Sequence, residues 1–155
     1  MFPTINKADF QRPSVDVQER YKELAGTQDV IIQTIQEIKS VLKNEMLSKA
    51  KAIQLYGLIV QYAAKQDDEF YTTLKVQHKD NQAALKIIDF FIQDLKFLKV
   101  RLFVFEDKYL ADRWDNGRKW AADFLELSDE IVQRFQVEQD QLFPLLSPNG
   151  RSIAR

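Results

Sequence analysis

Asp129-Glu-Ile-Val-Gln-Arg-Phe-Gln-Val-Glu-Gln-Asp-Gln-Leu-Phe-Pro-Leu-Leu146 decides the fold class. Together with the residues before it, this stretch places Phe124, Ser128, Ile131, Phe135, Glu138, Leu142 and Leu145 alternately four and three apart. That rhythm is the seam of a helix packed among other helices. Glu138 stands in the seam where an apolar residue would be cheaper, and Arg134 lies one turn earlier on the same side. A carboxylate taken out of water costs several kcal/mol unless it is paired and hydrogen-bonded. The spacing therefore predicts an Arg134–Glu138 pair, helped by Tyr62 or Gln28.

Working back along the chain, the same rhythm recurs. Val17, Tyr21, Leu24, Gln28, Ile31, Ile35, Ile38 and Leu42 outline one long helix through Gly26, with Ser14 as N-cap and Asp16 and Glu19 in the first turns. A second helix is expected from Leu47 to Val76, with Ile53, Tyr56, Val60, Ala63, Asp67, Phe70 and Leu74 in its seam. Within it, Lys65-Gln-Asp-Asp-Glu69 is a loosening point, since Asp is a poor helix former in an interior. A third is expected from near Lys79, with a dry seam of Ala84, Ile88, Phe91, Leu95, Leu98, Leu102, Phe105 and Tyr109. Val100, Phe103 and Val104 widen that stripe. The width is read first as deep burial against two neighbours, and otherwise as a partner surface, such as a homodimer through Phe97–Phe105. Asp115-Asn-Gly117 supplies the turn into the last helix. Residues 1–13, with Pro3 and Pro13, read as an irregular arm, and 147–155 as a disordered tail. The expected fold is all-α: one domain over 1–155, an up-down-up-down four-helix bundle with long helices.

Composition narrows the chemistry. Among 155 residues there is no Cys, so disulfides, thiolate catalysis and zinc-thiolate sites are excluded. Net charge is −1, with no basic field for a phosphate backbone, so no direct nucleic-acid binding is expected. No apolar run reaches membrane-spanning length, and the first residues lack a signal-peptide pattern, which makes the expected address cytoplasmic. The single His, His78, is read as a solvated residue at a helix start, with no Ser or Asp relay. No Gly-rich phosphate loop occurs, so no catalytic residue and no cofactor are assigned. The last helix has the flavour of a hemerythrin-like ligand helix, and a metal- or dioxygen-binding bundle is the alternative reading. Against it, Arg134 stands where such a helix would offer His, and Tyr62 and Gln66 are poor iron ligands, so no metal is assigned. What remains is an interior polar cluster of Gln28, Tyr62, Gln66, Asp67, Arg134 and Glu138. It serves either to hold helix register or to form a pocket or bistable region beneath a binding face.

Two segments resemble the Rsd/AlgQ family of bacterial anti-sigma factors. In Leu58-Ile-Val-Gln-Tyr-Ala-Ala-Lys-Gln-Asp-Asp-Glu-Phe-Tyr-Thr-Thr-Leu74, the spacing of Val60, Tyr62, Tyr71 and Leu74 is similar to the family's. Arg134-Phe-Gln-Val-Glu138 matches its Arg-Phe-x-x-Glu, and Glu19-Arg-Tyr21 is a fainter likeness to its Asp-Arg-Trp. The chain departs from the family at Gln61, where members carry an acid, and at Lys65-Gln-Asp67, where they carry a small-Gly-His segment. The resemblance implies a four-helix bundle and a non-enzymatic transcription regulator whose partner is the housekeeping sigma factor of RNA polymerase. It implies partner contacts around Gln61, Tyr62, Asp67, Asp68 and Glu69. Beneath them would lie an interior network of Gln28, Gln66, Tyr71, Arg134, Phe135 and Glu138.

Overall fold

The computed structural model describes residues 16–110 and 117–146. The expected arm, Ser14, the tail and most of the 115–117 turn lie outside the described residues. Helix is the only regular structure among those described: α1 (Val17–Ser40), α2 (Glu45–Ala64), α3 (Asp68–Gln77), α4 (Gln82–Phe105) and α5 (Gly117–Val137). A π-helical turn, Glu106–Leu110, extends α4, and another, Glu138–Leu142, joins α5 to the short α6 (Phe143–Leu146). The chain is all-α.

Short polar side chains start the helices. Asp16, Asn44, Asp67 and Asn81 each accept a hydrogen bond from a backbone N–H in the first turn, at 3.1, 3.0, 2.8 and 3.1 Å respectively. Each satisfies a donor that the helix leaves unpaired. The third cap corrects an expectation: 47–76 is not one helix. Asp67 is extended, at ψ −179°, and caps α3 rather than sitting in an interior seam. An Asp side chain offers the backbone a rival partner to the helical ladder, and here it wins. The α4 helix likewise begins at Gln82 behind Asn81, not near Lys79.

The seams of α1, α4 and α5 fall on the expected residues, from Leu24 and Ile31 through Phe91 and Leu102 to Phe124 and Ile131. The α2 seam does not. Ile53 and Val60 are exposed, and the buried side chains are Ser48, Ala52, Leu55, Ile59, Tyr62 and Ala63. This helix is apolar nearly all round, so hydrophobicity alone does not orient it. Burying Glu138 requires donors: the observed rotation turns Tyr62 inward, and the break after Ala64 brings in Gln66. Two further expectations change. His78 ends α3 rather than beginning a helix, is half-buried, and lies with Nε2 3.1 Å from the Leu145 carbonyl. The off-seam residues of α4 are not deeply buried: Phe97, Val100, Phe103 and Val104 are 67, 61, 64 and 56% exposed.

The end of α5 has a covalent cause. Pro144 has no N–H to return to the carbonyl four residues back. Just before it the ladder steps out by one residue, and the Phe143 N–H donates to the Glu138 carbonyl. The wider turn lets Glu138, Leu142, Phe143, Leu145 and Leu146 all turn inward.

Candidate functional site

The polar interior is built around Glu138, whose side chain is fully buried. Four donors answer its carboxylate, two to each oxygen. The Tyr62 hydroxyl donates to Oε1, as does Gln28 Nε2 at 3.0 Å. Arg134 Nε donates to Oε2 at 2.6 Å, and Gln66 Nε2 does so at 3.3 Å. The expected i,i+4 pair is present, and both expected helpers take part.

The network continues in two directions. Arg134 spends its remaining donors on Gln66 Oε1, at 3.1 Å, and on the Asp94 carboxylate of α4. Its guanidinium lies over the Phe91 ring, 5.6 Å from the centroid, where the π face attracts a cation. The Tyr71 hydroxyl also donates to Gln66 Oε1. On the other side, Gln28 Nε2 lies 2.8 Å from the Tyr62 hydroxyl, and Gln139 Nε2 donates to Gln28 Oε1 at 2.8 Å. Phe135 closes the floor by packing against the Tyr62 ring, with centroids 5.0 Å apart and the rings tilted by 56°. Helices α1, α2, α4 and α5 and the 65–67 break thus meet through side-chain hydrogen bonds.

Electrostatics follow from this geometry. Burial raises the Tyr62 phenol far above its ordinary value, and the neighbouring Glu138 charge and hydrogen bond push the same way. Burial also raises Tyr71, against the lowering effect of Arg134. Both hydroxyls therefore stay protonated and act as donors. For Arg134, burial alone would favour losing the proton. Glu138, Tyr71 and Asp94 outweigh it and hold the guanidinium above its usual value. One cation faces two carboxylates, and the Asp94 side chain, 37% exposed, shares its charge with water.

The expected partner-binding residues divide. Gln61, Asp67, Asp68 and Glu69 are exposed, while Tyr62 is 1% exposed and belongs to the interior. Asp67 leaves the interior cluster as well, since its carboxylate caps α3 and lies 3.9 Å from Arg20 at the surface. Nearby, Arg20 donates to the Lys65 carbonyl, which ties the helix break to α1. Gln28, Gln66, Tyr71, Arg134, Phe135 and Glu138 are all buried. Asp94 and Gln139 join them without having been expected. Asp94 lies three residues after Phe91, on the alternative step of the four–three rhythm, which is the signal that could have found it.

The donors around Glu138 are amide, phenol and guanidinium groups. Among the described residues no three His, Asp or Glu side chains gather as a metal site would require. No described helix is long and apolar enough to cross a membrane. Comparison with protein-family models, with curated proteins and with solved structures finds no match to this chain.

Proposed function

We propose that this chain is a non-catalytic regulator of the anti-sigma kind, which binds the housekeeping sigma factor of bacterial RNA polymerase in the cytoplasm. The observation that carries the reading is the meeting of the two segments that resemble the Rsd/AlgQ family. They are far apart in sequence, yet Tyr62 of the first donates to Glu138 of the second and packs against Phe135. The likeness thus falls on one spatial unit. Above that unit, Gln61, Asp68 and Glu69 are exposed beside the helix break. An acidic edge of this kind suits electrostatic steering of a basic, DNA-reading helix. Tyr62 acts from below, by setting the rotation of α2.

Binding of the purified chain to the housekeeping sigma factor, measured by pull-down and calorimetry, tests the proposal. Saturable binding weakened by Asp68→Lys and Glu69→Lys is expected. No interaction, or binding indifferent to both substitutions, removes it.

A further inference from the structure

The outward side of α2 carries no charge along its centre. At the four–three spacing of a helical seam, Met46, Ala50, Ile53, Gly57, Val60 and Ala64 form one stripe down the helix, with Leu47, Gln54 and Gln61 along one flank. All nine are exposed, and Met46, Ile53 and Val60 are 86, 50 and 43% so. The opposite side of the same helix sets Ala52, Leu55, Ile59 and Tyr62 in the core. A helix apolar on both sides is the pattern of one buried all round. Among the described residues, only the inner side of α2 is covered. Charged residues make up 29% of the sequence, yet on α2 they avoid the stripe. Glu45 opens the helix, and Lys49 and Lys51 stand partly buried at its borders, Lys51 turned to Glu37 of α1 at 3.3 Å.

The order of side-chain size along the stripe says what covers it. Met46, Ile53 and Val60 alternate with Ala50, Gly57 and Ala64, and the alternation inverts about Leu55. Any two stripe positions equally far from Leu55 are one large and one small: Ile53 with Gly57, Val60 with Ala50, Met46 with Ala64. A two-fold axis crossing α2 at Leu55, in the plane of contact, lays the helix antiparallel on its own copy and brings those positions together. Every large side chain then enters the gap left by a small one, which is how facing layers fill to the density of a protein interior. An axis along the helix would instead set Met46, Ile53 and Val60 on their own mates and leave gaps at Ala50, Gly57 and Ala64. Gly57 has room for the approach, since a methyl group at its Cα would meet nothing within 4 Å. Beside the axis, Gln54 faces Gln54 of the other copy, and an amide can donate and accept at once.

We propose that α2 is a dimerisation helix, packed antiparallel on α2 of a second copy about a two-fold axis at Leu55. Its 20 residues give a seam about 30 Å long. The corrugated surface of a strip that long and one helix diameter wide is roughly 600 Å² per copy, so about 1,200 Å² is buried in all, the lower end of the range for stable, specific interfaces. That area suits a reversible dimer. Of the residues placed at the sigma-factor contact only Gln61 lies on this face, so the dimer does not rest on that reading.

Sedimentation equilibrium of the full chain over a concentration series tests it, with circular dichroism as the check on folding. A monomer–dimer equilibrium is expected. Ile53→Glu, at an exposed position, should yield a folded monomer. Gly57→Leu should keep the fold and weaken the dimer roughly tenfold or more, by setting two large side chains against each other. Ile53→Ala should weaken it by a similar factor, by leaving a gap. Together in one chain these two substitutions exchange large for small in the central layers, and most of the lost association should return. Phe97→Glu, on the exposed face of α4, should leave the dimer unchanged. A chain that is monomeric at every concentration overturns the proposal. So does a dimer that tolerates Ile53→Glu or is broken by Phe97→Glu. A dimer strengthened by Gly57→Leu, as a parallel pairing would be, or a combined variant that recovers nothing, overturns it too.

Discussion

Replacing Arg134 with Met keeps most of the aliphatic stem against Phe91 but removes the cation. Three things are lost: the 2.6 Å bond to Glu138, the 3.1 Å bond to Gln66, and the bond to Asp94. Asp94 is partly exposed and finds water. Glu138, fully buried, does not, and keeps only the neutral donors Tyr62, Gln28 and Gln66. Breaking one side of a buried pair costs about 3–5 kcal/mol, mostly because it strands the other charge. At about 2–4 °C per kcal/mol for a chain of this size, the melting temperature should fall by roughly 6–20 °C. A second substitution separates this cause from lost packing. Glu138→Gln in the Arg134→Met background removes the stranded charge while keeping an acceptor for Tyr62, and should recover about 1–3 kcal/mol of the loss. Urea denaturation of the two single variants and the double variant, with circular dichroism as readout, gives the cycle. A loss under about 1 kcal/mol for Arg134→Met, or strictly additive effects, would refute the reasoning, because both mean that Glu138 is answered by solvent.

Three other outcomes are expected. Asp67→Ala removes the cap of α3 and should cost about 1 kcal/mol in chemical denaturation. Gly57→Ala places a methyl group in open space inside α2 and should stabilise by about 0.5–1 kcal/mol in the same assay. Alkaline titration reports on Tyr62 and Tyr71, both raised by burial. Because the folded values lie above the unfolded one, their contribution to stability is complete below about pH 10 and is lost as pH rises beyond it. Their phenolate absorbance should therefore appear together with loss of helical circular dichroism; its appearance in a still-folded protein would contradict the buried placement.

How legible each part was in the sequence depended on contrast. In α1 and α5 charged and apolar faces differ sharply, and the four–three rhythm finds Leu24 and Phe124 without ambiguity; in α4 it finds Ile88 although the outward face is apolar too. Glu138 and Arg134 were legible for the same reason, since polar residues in a clean seam stand out. In α2 the contrast fails. Ile53, Tyr56, Leu58, Ile59 and Val60 offer two stripes of similar apolarity, and the choice falls to the hydrogen-bonding needs of a helix far away in sequence. The break at Asp67 was half legible. Its poor helix propensity pointed to a weak spot, but capping is decided by whether the side chain finds a first-turn N–H, as it does at Phe70. Asp94 was half legible: its step after Phe91 sets it beside the seam, but nothing local shows that Arg134 reaches it. The exposure of Phe97 and Phe103 depends on where α4's neighbours end, which no periodicity within α4 encodes.

The regulatory reading comes down to one titration: the purified chain into a bacterial housekeeping sigma factor, followed by calorimetry. Saturable binding, weakened when Asp68 or Glu69 becomes lysine and preserved in Phe103→Glu, is the result expected of an anti-sigma protein that uses the edge beside the helix break. A flat titration with folded protein on both sides would contradict it.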